Sequence, residues 1–306
     1  MKRKDKPDIV SGVIIIDKHE GITSHRIVQI LRKLYDTPRV GHTGTLDPLA
    51  TGVLPVLVGR AVKASEFLLS NDKEYEAVLQ LGITTDTQDI TGTVLSESNH
   101  IPDEEAVRTA ISSFVGDSMQ MPPMYSAIKV GGVKLVDAAR QGETIERESR
   151  PIHITSIDVE KLSETQYKLR VACSKGTYIR TLCADIGEKL GCGGVMAALR
   201  RTRSGLYDLT HAHTIEELEA AAIEQRVAMV QPCETLFADC PAIHVNDFQA
   251  KLIRGGTELY QWKLKTDFPP STHVRIYQNG TFFALGEVRE YPEKGSAVKP
   301  IRLFVL

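Results

Sequence analysis

Apolar positions along the chain fall into two rhythms. The run Gly12-Val13-Ile14-Ile15-Ile16-Asp17 is short, β-branched and bounded by turn residues, the pattern of a buried strand. Val53–Val58 reads the same way. In Lys73–Leu81 apolar and polar residues alternate, which puts Tyr75, Ala77, Leu79 and Leu81 on one face of a half-buried strand. Ile152–Leu162 and Tyr167–Cys173 read as paired strands around the polar turn Ser163-Glu164-Thr165. Elsewhere the spacing is helical. Ile27, Val28, Ile30, Leu31 and Leu34 share a face, with Thr23 or Ser24 as cap and Asp36-Thr37-Pro38 as the stop. Further helices are predicted over Val62–Leu69, from an Asp103 cap to Phe114, over Val136–Gln141 before Gly142, over Tyr178–Leu190 before Gly191, and over 214–224. Residues 83–98 read as turns. Met119–Lys129 reads as irregular, because Pro122-Pro123 forbids a helix.

Near Cys240-Pro241 the pattern changes to short strand-like runs: Val274–Tyr277, Thr281–Val288 and Ala297–Leu306. Asn279-Gly280 between the first two is a strong hairpin signal. Two domains are therefore predicted, residues 1–240 and a small β module at 241–306, in an α+β chain of 306 residues.

Composition excludes several classes. The chain is 42% hydrophobic and 25% charged, ordinary values for a globular protein. No apolar run is long enough to span a membrane. The basic start, Met1-Lys2-Arg3-Lys4-Asp5-Lys6, has no apolar stretch after it, so it does not read as a signal peptide. The 5 cysteines form no CxxC pair, which points to a reducing, cytoplasmic setting without a structural metal. No cofactor motif is present: no GxGxxG, no P-loop and no HExxH.

Charge changes the picture. The net charge of −2 argues against a polyanionic partner, but its distribution argues for one. Residues 1–60 carry 10 Lys and Arg against 6 Asp and Glu, residues 168–205 carry 8 against 2, and residues 241–306 carry 9 against 6. Acidic segments cancel them in the total. If the basic segments meet on one face they form a footprint for nucleic acid; if they do not, they are scattered solvated charge.

The candidate chemistry centres on Gly41-His42-Thr43-Gly44-Thr45-Leu46-Asp47-Pro48-Leu49-Ala50-Thr51-Gly52. This loop holds one carboxylate among glycines and hydroxyl residues just before a strand. It is either a placed catalytic group or a tight turn whose Asp bonds its own backbone. A carboxylate becomes a useful nucleophile when it is positioned, partly desolvated and kept ionised by a cation. Arg180, in Ser174-Lys175-Gly176-Thr177-Tyr178-Ile179-Arg180, is the candidate cation; otherwise it is a solvated helix residue. Tyr75 and Leu199 read by pattern alone as packing residues, and His42 as a surface or hydrogen-bonded one.

The 41–52 segment resembles the catalytic-aspartate motif of the tRNA pseudouridine synthase B family, which converts a uridine in the T loop of tRNA, position 55, to pseudouridine. The resemblance runs from residue 12 to about 206. It continues in Asp17-Lys18-His19-Glu20-Gly21-Ile22-Thr23-Ser24, where His19 stands for the family's usual proline, and in Lys73-Glu74-Tyr75. Pro122-Pro123-Met124-Tyr125-Ser126-Ala127 and Gly176-Thr177-Tyr178-Ile179-Arg180 complete it. It implies a mixed, largely antiparallel sheet flanked by helices, closed by a C-terminal β-barrel of the PUA type, with Leu252–Gly256 as the best local match. It implies Asp47 as nucleophile at C1′ or at C6, Arg180 as its ion-pair partner, and Tyr75 against the target base. Tyr178 and Leu199 would line the uridine pocket, and His42 would take the space the flipped nucleotide leaves. Arg200, Arg201 and Arg203 read as phosphate contacts. The expectation is a cytoplasmic, monomeric enzyme with a tRNA T stem-loop as partner, needing neither cofactor nor metal. Two other readings stand beside it. One is a phosphotransferase, against which the Asp follows Gly-Thr instead of preceding it; the other is a non-catalytic RNA-binding module.

Overall fold

The computed structural model describes residues 9–68 and 72–304. The basic stretch Met1–Lys6, Leu69 at the end of a predicted helix, and Val305-Leu306 lie outside the described residues.

Among the described residues, eleven strands form one mixed sheet. Its main path runs Ala212–His213, Gly12–Lys18, Thr51–Val58, Gly194–Ser204, Lys73–Leu81, Gln166–Cys173, Arg150–Lys161 and Gly116–Gln120. Most neighbours are antiparallel. Gly194–Ser204 runs parallel to Thr51–Val58, and Ala212–His213 parallel to Gly12–Lys18. Lys73–Leu81 forms as its alternation predicts, with every second residue buried from Lys73 to Leu81. Gly12–Lys18 is buried almost throughout because both faces are covered, which explains why its sequence is a run and not an alternation. One face (Ile14, Ile16) packs with Leu54, Val56 and Leu79 under three helices, Ser24–Leu34, Glu104–Ser112 and Ile179–Lys189. The other face (Val13, Ile15) packs with Val53, Leu57 and Phe237, and with Phe282, Leu285 and Phe304 of the C-terminal segment. Each such side chain contributes ~1.5–3 kcal/mol through burial.

The C-terminal residues form a separate five-stranded sheet in the order Ala242–Val245, His273–Gln278, Thr281–Tyr291, Gly295–Leu303 and Leu259–Tyr260. It curls into a half-barrel with two open edges, where the sequence reading expects a barrel. Asn279 and Gly280 both take positive φ, 49° and 77°, as a two-residue hairpin requires.

Several elements differ from the pattern reading. Gly194–Ser204 is a central strand that periodicity misses: Met196-Ala197-Ala198-Leu199-Arg200-Arg201 is made of helix-favouring residues without alternation. Residues 83–98 contain a hairpin, Ile83–Thr85 with Val94–Glu97. Met119 and Gln120, read as irregular, close the edge strand against Arg150 and Pro151. The predicted 62–69 helix is a 3₁₀ turn, Gly59–Ala64, running into the short Ser65–Leu68 helix. The predicted 214–224 helix is two, Ile215–Ala220 and Ile223–Ala228. Leu252 to Arg254 lie in a helix, Asp247–Arg254, started by a capping box between Asn246 and Gln249.

Candidate active site

The Asp47 loop is pinned from several sides. Ser24, buried at the start of its helix, donates its hydroxyl to the Leu46 carbonyl and accepts from the Leu46 amide, both at 2.9 Å. Gly21 donates to the Pro48 carbonyl at 2.9 Å, and Lys18 Nζ to the same oxygen at 3.2 Å. On the other side Arg201 Nη2 donates to the Gly44 carbonyl at 3.3 Å. Gly52 ends the loop at φ 97°, where a Cβ would stand 2.2 Å from the Arg201 carbonyl oxygen, so the strand pairing admits only glycine there. With both neighbouring segments fixed, the Asp47 side chain is held in place.

Arg180 meets it. The Gly176-Thr177-Tyr178 turn starts the Ile179–Lys189 helix, and Arg180 occupies the first turn. A cation there opposes the helix dipole by ~0.3–1 kcal/mol, so helix electrostatics do not account for its placement. Its acceptors do. Nε lies 3.0 Å from Asp47 Oδ2 and Nη1 3.5 Å from Asp89 Oδ2. Nη1 also donates to the Thr87 carbonyl at 3.1 Å and Nη2 to the Tyr125 carbonyl at 2.9 Å. Arg180 is 5% exposed, whereas the Asp47 side chain is 37% exposed, so the pair presents its carboxylate to the open side. Burial pushes the Asp47 carboxyl above its ordinary range; Arg180 and Lys18 pull it back, and Asp89 adds to the rise.

Asp47, Tyr75, Tyr178, Arg180 and Leu199 line one cavity of about 430 Å³, within the range of ligand pockets. Tyr75 reaches it from the buried face of its strand, and burial pushes its phenol up. Tyr178 caps the helix, and its peptide is gripped on both sides by Gln120. The Gln120 side-chain oxygen accepts from Tyr178 N at 2.8 Å, and its amide donates to Tyr178 O at 3.1 Å. His42 is not among the cavity residues. It sits on the short Val40–His42 strand, its Nδ1 buried without a partner, and burial with the charges of Arg201 and His25 pushes its imidazole below the ordinary value.

The structure corrects the reading of the arginines beside Leu199. Arg201 is 1% exposed and donates to the Val53 carbonyl at 2.7 Å, which leaves it no access to a phosphate. Arg200 pairs with Asp17 at 2.8 Å. Only Arg203 of the three is exposed. The sequence reading does not single out Lys18, Lys73, Asp89 or Gln120, which line the cavity or bond the Asp47 loop and the residues that do. Lys18 is fully buried, and burial lowers its ammonium to about 8, with Asp47 opposing the drop. Lys18 and Lys73 lie inside quoted motifs. Asp89 and Gln120 carry no local signal, because their partners are distant in sequence.

Fold and cavity together define a pseudouridine synthase. The crystal structure of a Cbf5–Nop10–Gar1 complex aligns with TM-score 0.73 and 27% identity, over 99% of this chain and 88% of that one. Residues 32–179 match the TruB family pseudouridylate synthase N-terminal domain, and residues 180–238 match the tRNA pseudouridylate synthase B C-terminal domain. The chain belongs to the TruB family of pseudouridylate synthases. It is 42% identical over 281 residues to the tRNA pseudouridine synthase B of Francisella tularensis subsp. tularensis, covering 91% of each. It is 42% identical to that of Aromatoleum aromaticum over 279 residues, 91% of this chain and 89% of the other.

Proposed function

We propose that this enzyme isomerises the T-loop uridine at position 55 of tRNA to pseudouridine, with Asp47 as nucleophile and Arg180 as the cation that keeps it ionised. The observation that carries this is the 3.0 Å contact between Arg180 Nε and Asp47 Oδ2 at the wall of a cavity also lined by Tyr75, Tyr178 and Leu199. The reaction breaks N1–C1′, turns the uracil and joins C5 to C1′. The proton lost at C5 is matched by one gained at N1, so the chemistry calls for no redox cofactor or external group. The uridine leaves its loop stack to enter the cavity, which costs a few kcal/mol and least for an unpaired base. Tyr75 stacks on the base and handles a proton. Tyr178 and Leu199 bound the pocket, and His42 supports the flipped loop from beside the cavity.

In this reading residues 1–240 are the catalytic domain and 241–306 a PUA-like RNA-binding module. The enzyme acts as a cytoplasmic monomer, and among the described residues no helix is long and apolar enough to cross a membrane. Tritium release from tRNA carrying C5-labelled uridine tests the assignment. Wild type releases tritium, while Asp47→Asn releases none and binds tRNA within a few fold of wild type. Full release by that variant removes Asp47 from its role. Binding without release by wild type would favour a non-catalytic RNA-binding module.

A further inference from the structure

Arg201 is a long charged side chain sealed inside the sheet, and the reaction described above gives it no task. Its Nε donates to the Val53 carbonyl and its Nη2 to the Gly44 carbonyl, at 2.7 and 3.3 Å. A Cβ on Gly44 would stand 3.7 Å from Nη1, so the guanidinium lies against the loop that carries Asp47. Arg201 also pairs in register with Tyr75 on the neighbouring strand, and both residues line the Asp47 cavity. Burying a guanidinium costs several kcal/mol unless its donors are used. Two carbonyls would serve a purely structural bolt. The cross-strand neighbour of Arg201 on the same cavity wall is a phenol, a group able to accept a further hydrogen bond.

A guanidinium has donors and no acceptor. A phenol oxygen bonded to a guanidinium therefore accepts on that side, and its single hydrogen is left to point elsewhere. We propose that Arg201 is a positioning residue: it holds the Tyr75 oxygen against its guanidinium with the phenol hydrogen turned to the cavity, and ties that orientation to the Asp47 loop through the Gly44 carbonyl. The proposal rests on the reading of Tyr75 as a proton-handling group. The charged and titratable groups around the phenol are Arg201 from the Gly194–Ser204 strand, Cys173 from the Gln166–Cys173 strand and Asp47 from its loop. Arg201 favours release of the phenol proton, and the other two oppose it. Lysine keeps the charge at this position but not the planar fork that serves several acceptors at once.

The test is a double-mutant cycle of Arg201→Lys and Tyr75→Phe, read by single-turnover tritium release at saturating enzyme. Arg201→Lys is expected to slow release by about 10- to 100-fold, with tRNA affinity within about threefold of wild type. The double variant is expected to be no slower than Tyr75→Phe alone. The midpoint of the rate–pH profile is expected to move to higher pH in Arg201→Lys, and not to move when Tyr75 is already Phe. If the two losses multiply, or if the pH shift persists without the phenol, the proposal is overturned. If Arg201→Lys does not fold, arginine-labelled NMR of Tyr75→Phe decides. The Arg201 guanidinium resonances must shift when the phenol oxygen is removed, and unchanged resonances overturn the proposal. Tritium release by wild type separates the two levels: its absence sinks the assigned reaction, whereas release with a multiplicative cycle sinks only the role of Arg201.

Discussion

Replacing Arg180 with methionine keeps the length of the side chain and removes its charge. Asp47, Asp89 and the carbonyls of Thr87 and Tyr125 all lose a donor. Breaking a buried ion pair from one side costs ~3–5 kcal/mol, and each orphaned carbonyl ~1–3 kcal/mol. Two features hold the total near the low end. Asp89 retains Thr87 Oγ1 at 3.0 Å, Thr91 N at 3.0 Å and Thr91 Oγ1 at 2.6 Å. Asp47 keeps its open side to the cavity and can take up a proton. We expect a loss of ~3 kcal/mol at pH 8, which lowers the melting temperature by ~6–12 °C. The pH dependence has a definite sign. Burial already pushes the Asp47 carboxyl above its ordinary range and Arg180 pulls it back, so its removal raises the carboxyl further. Between the unfolded value near ~3.9 and the raised folded value, the folded variant holds a proton that the unfolded chain releases, so its stability increases as pH falls. The gap to wild type therefore narrows from pH 8 to pH 5. Urea unfolding at both pH values measures the gap, and tritium release measures activity, expected to fall by on the order of 10²–10³-fold. Unchanged stability, or a gap that widens at pH 5, would refute the reasoning.

The same linkage predicts that Asp47→Asn, inactive, melts at a higher temperature than wild type at pH 7, because it removes a carboxylate that the fold holds less favourably than water does. A lower melting temperature in calorimetry would contradict this. Gln120→Ala strips both partners from the Tyr178 peptide. It should cost ~1–3 kcal/mol by urea unfolding and slow single-turnover tritium release, up to ~10²-fold if Tyr178 moves by ~1 Å. Gly52→Ala places a Cβ against the Arg201 carbonyl at positive φ. It should destabilise by more than ~1 kcal/mol, and an unchanged thermal melt would mean that the strand pair yields freely.

Legibility from sequence follows the range of the interaction. Lys73–Leu81 was readable because its two faces meet different surroundings, and alternation records that difference. Ser24–Leu34 was readable because a cap and an apolar stripe are local, and Thr23 does accept from Arg26 N at 3.0 Å. Gly194–Ser204 was not readable: it lies between Thr51–Val58 and Lys73–Leu81, and its pairing partners impose a strand on residues that prefer helices. Arg201 shows the same limit in a side chain. In sequence it is one of three closely spaced arginines that read as phosphate contacts. In the fold its neighbours face solvent or Asp17 while it turns inward to Val53 and Gly44.

By itself the sequence determined the kinds of group at the site and their local settings: an aspartate in a glycine-rich loop, an arginine opening a helix, and a tyrosine on a buried strand face. These follow from turn chemistry, capping and periodicity, which act over a few residues. Only the tertiary structure decided that Asp47 and Arg180 stand 3.0 Å apart. It alone decided that Gln120 holds Tyr178 and that Arg201, bonded to the Asp47 loop, lies in register with Tyr75. Those pairings are made by sheet order and register, and so is the burial that shifts the carboxyl upward, because proximity across a fold is set by which strands lie side by side and not by any one segment.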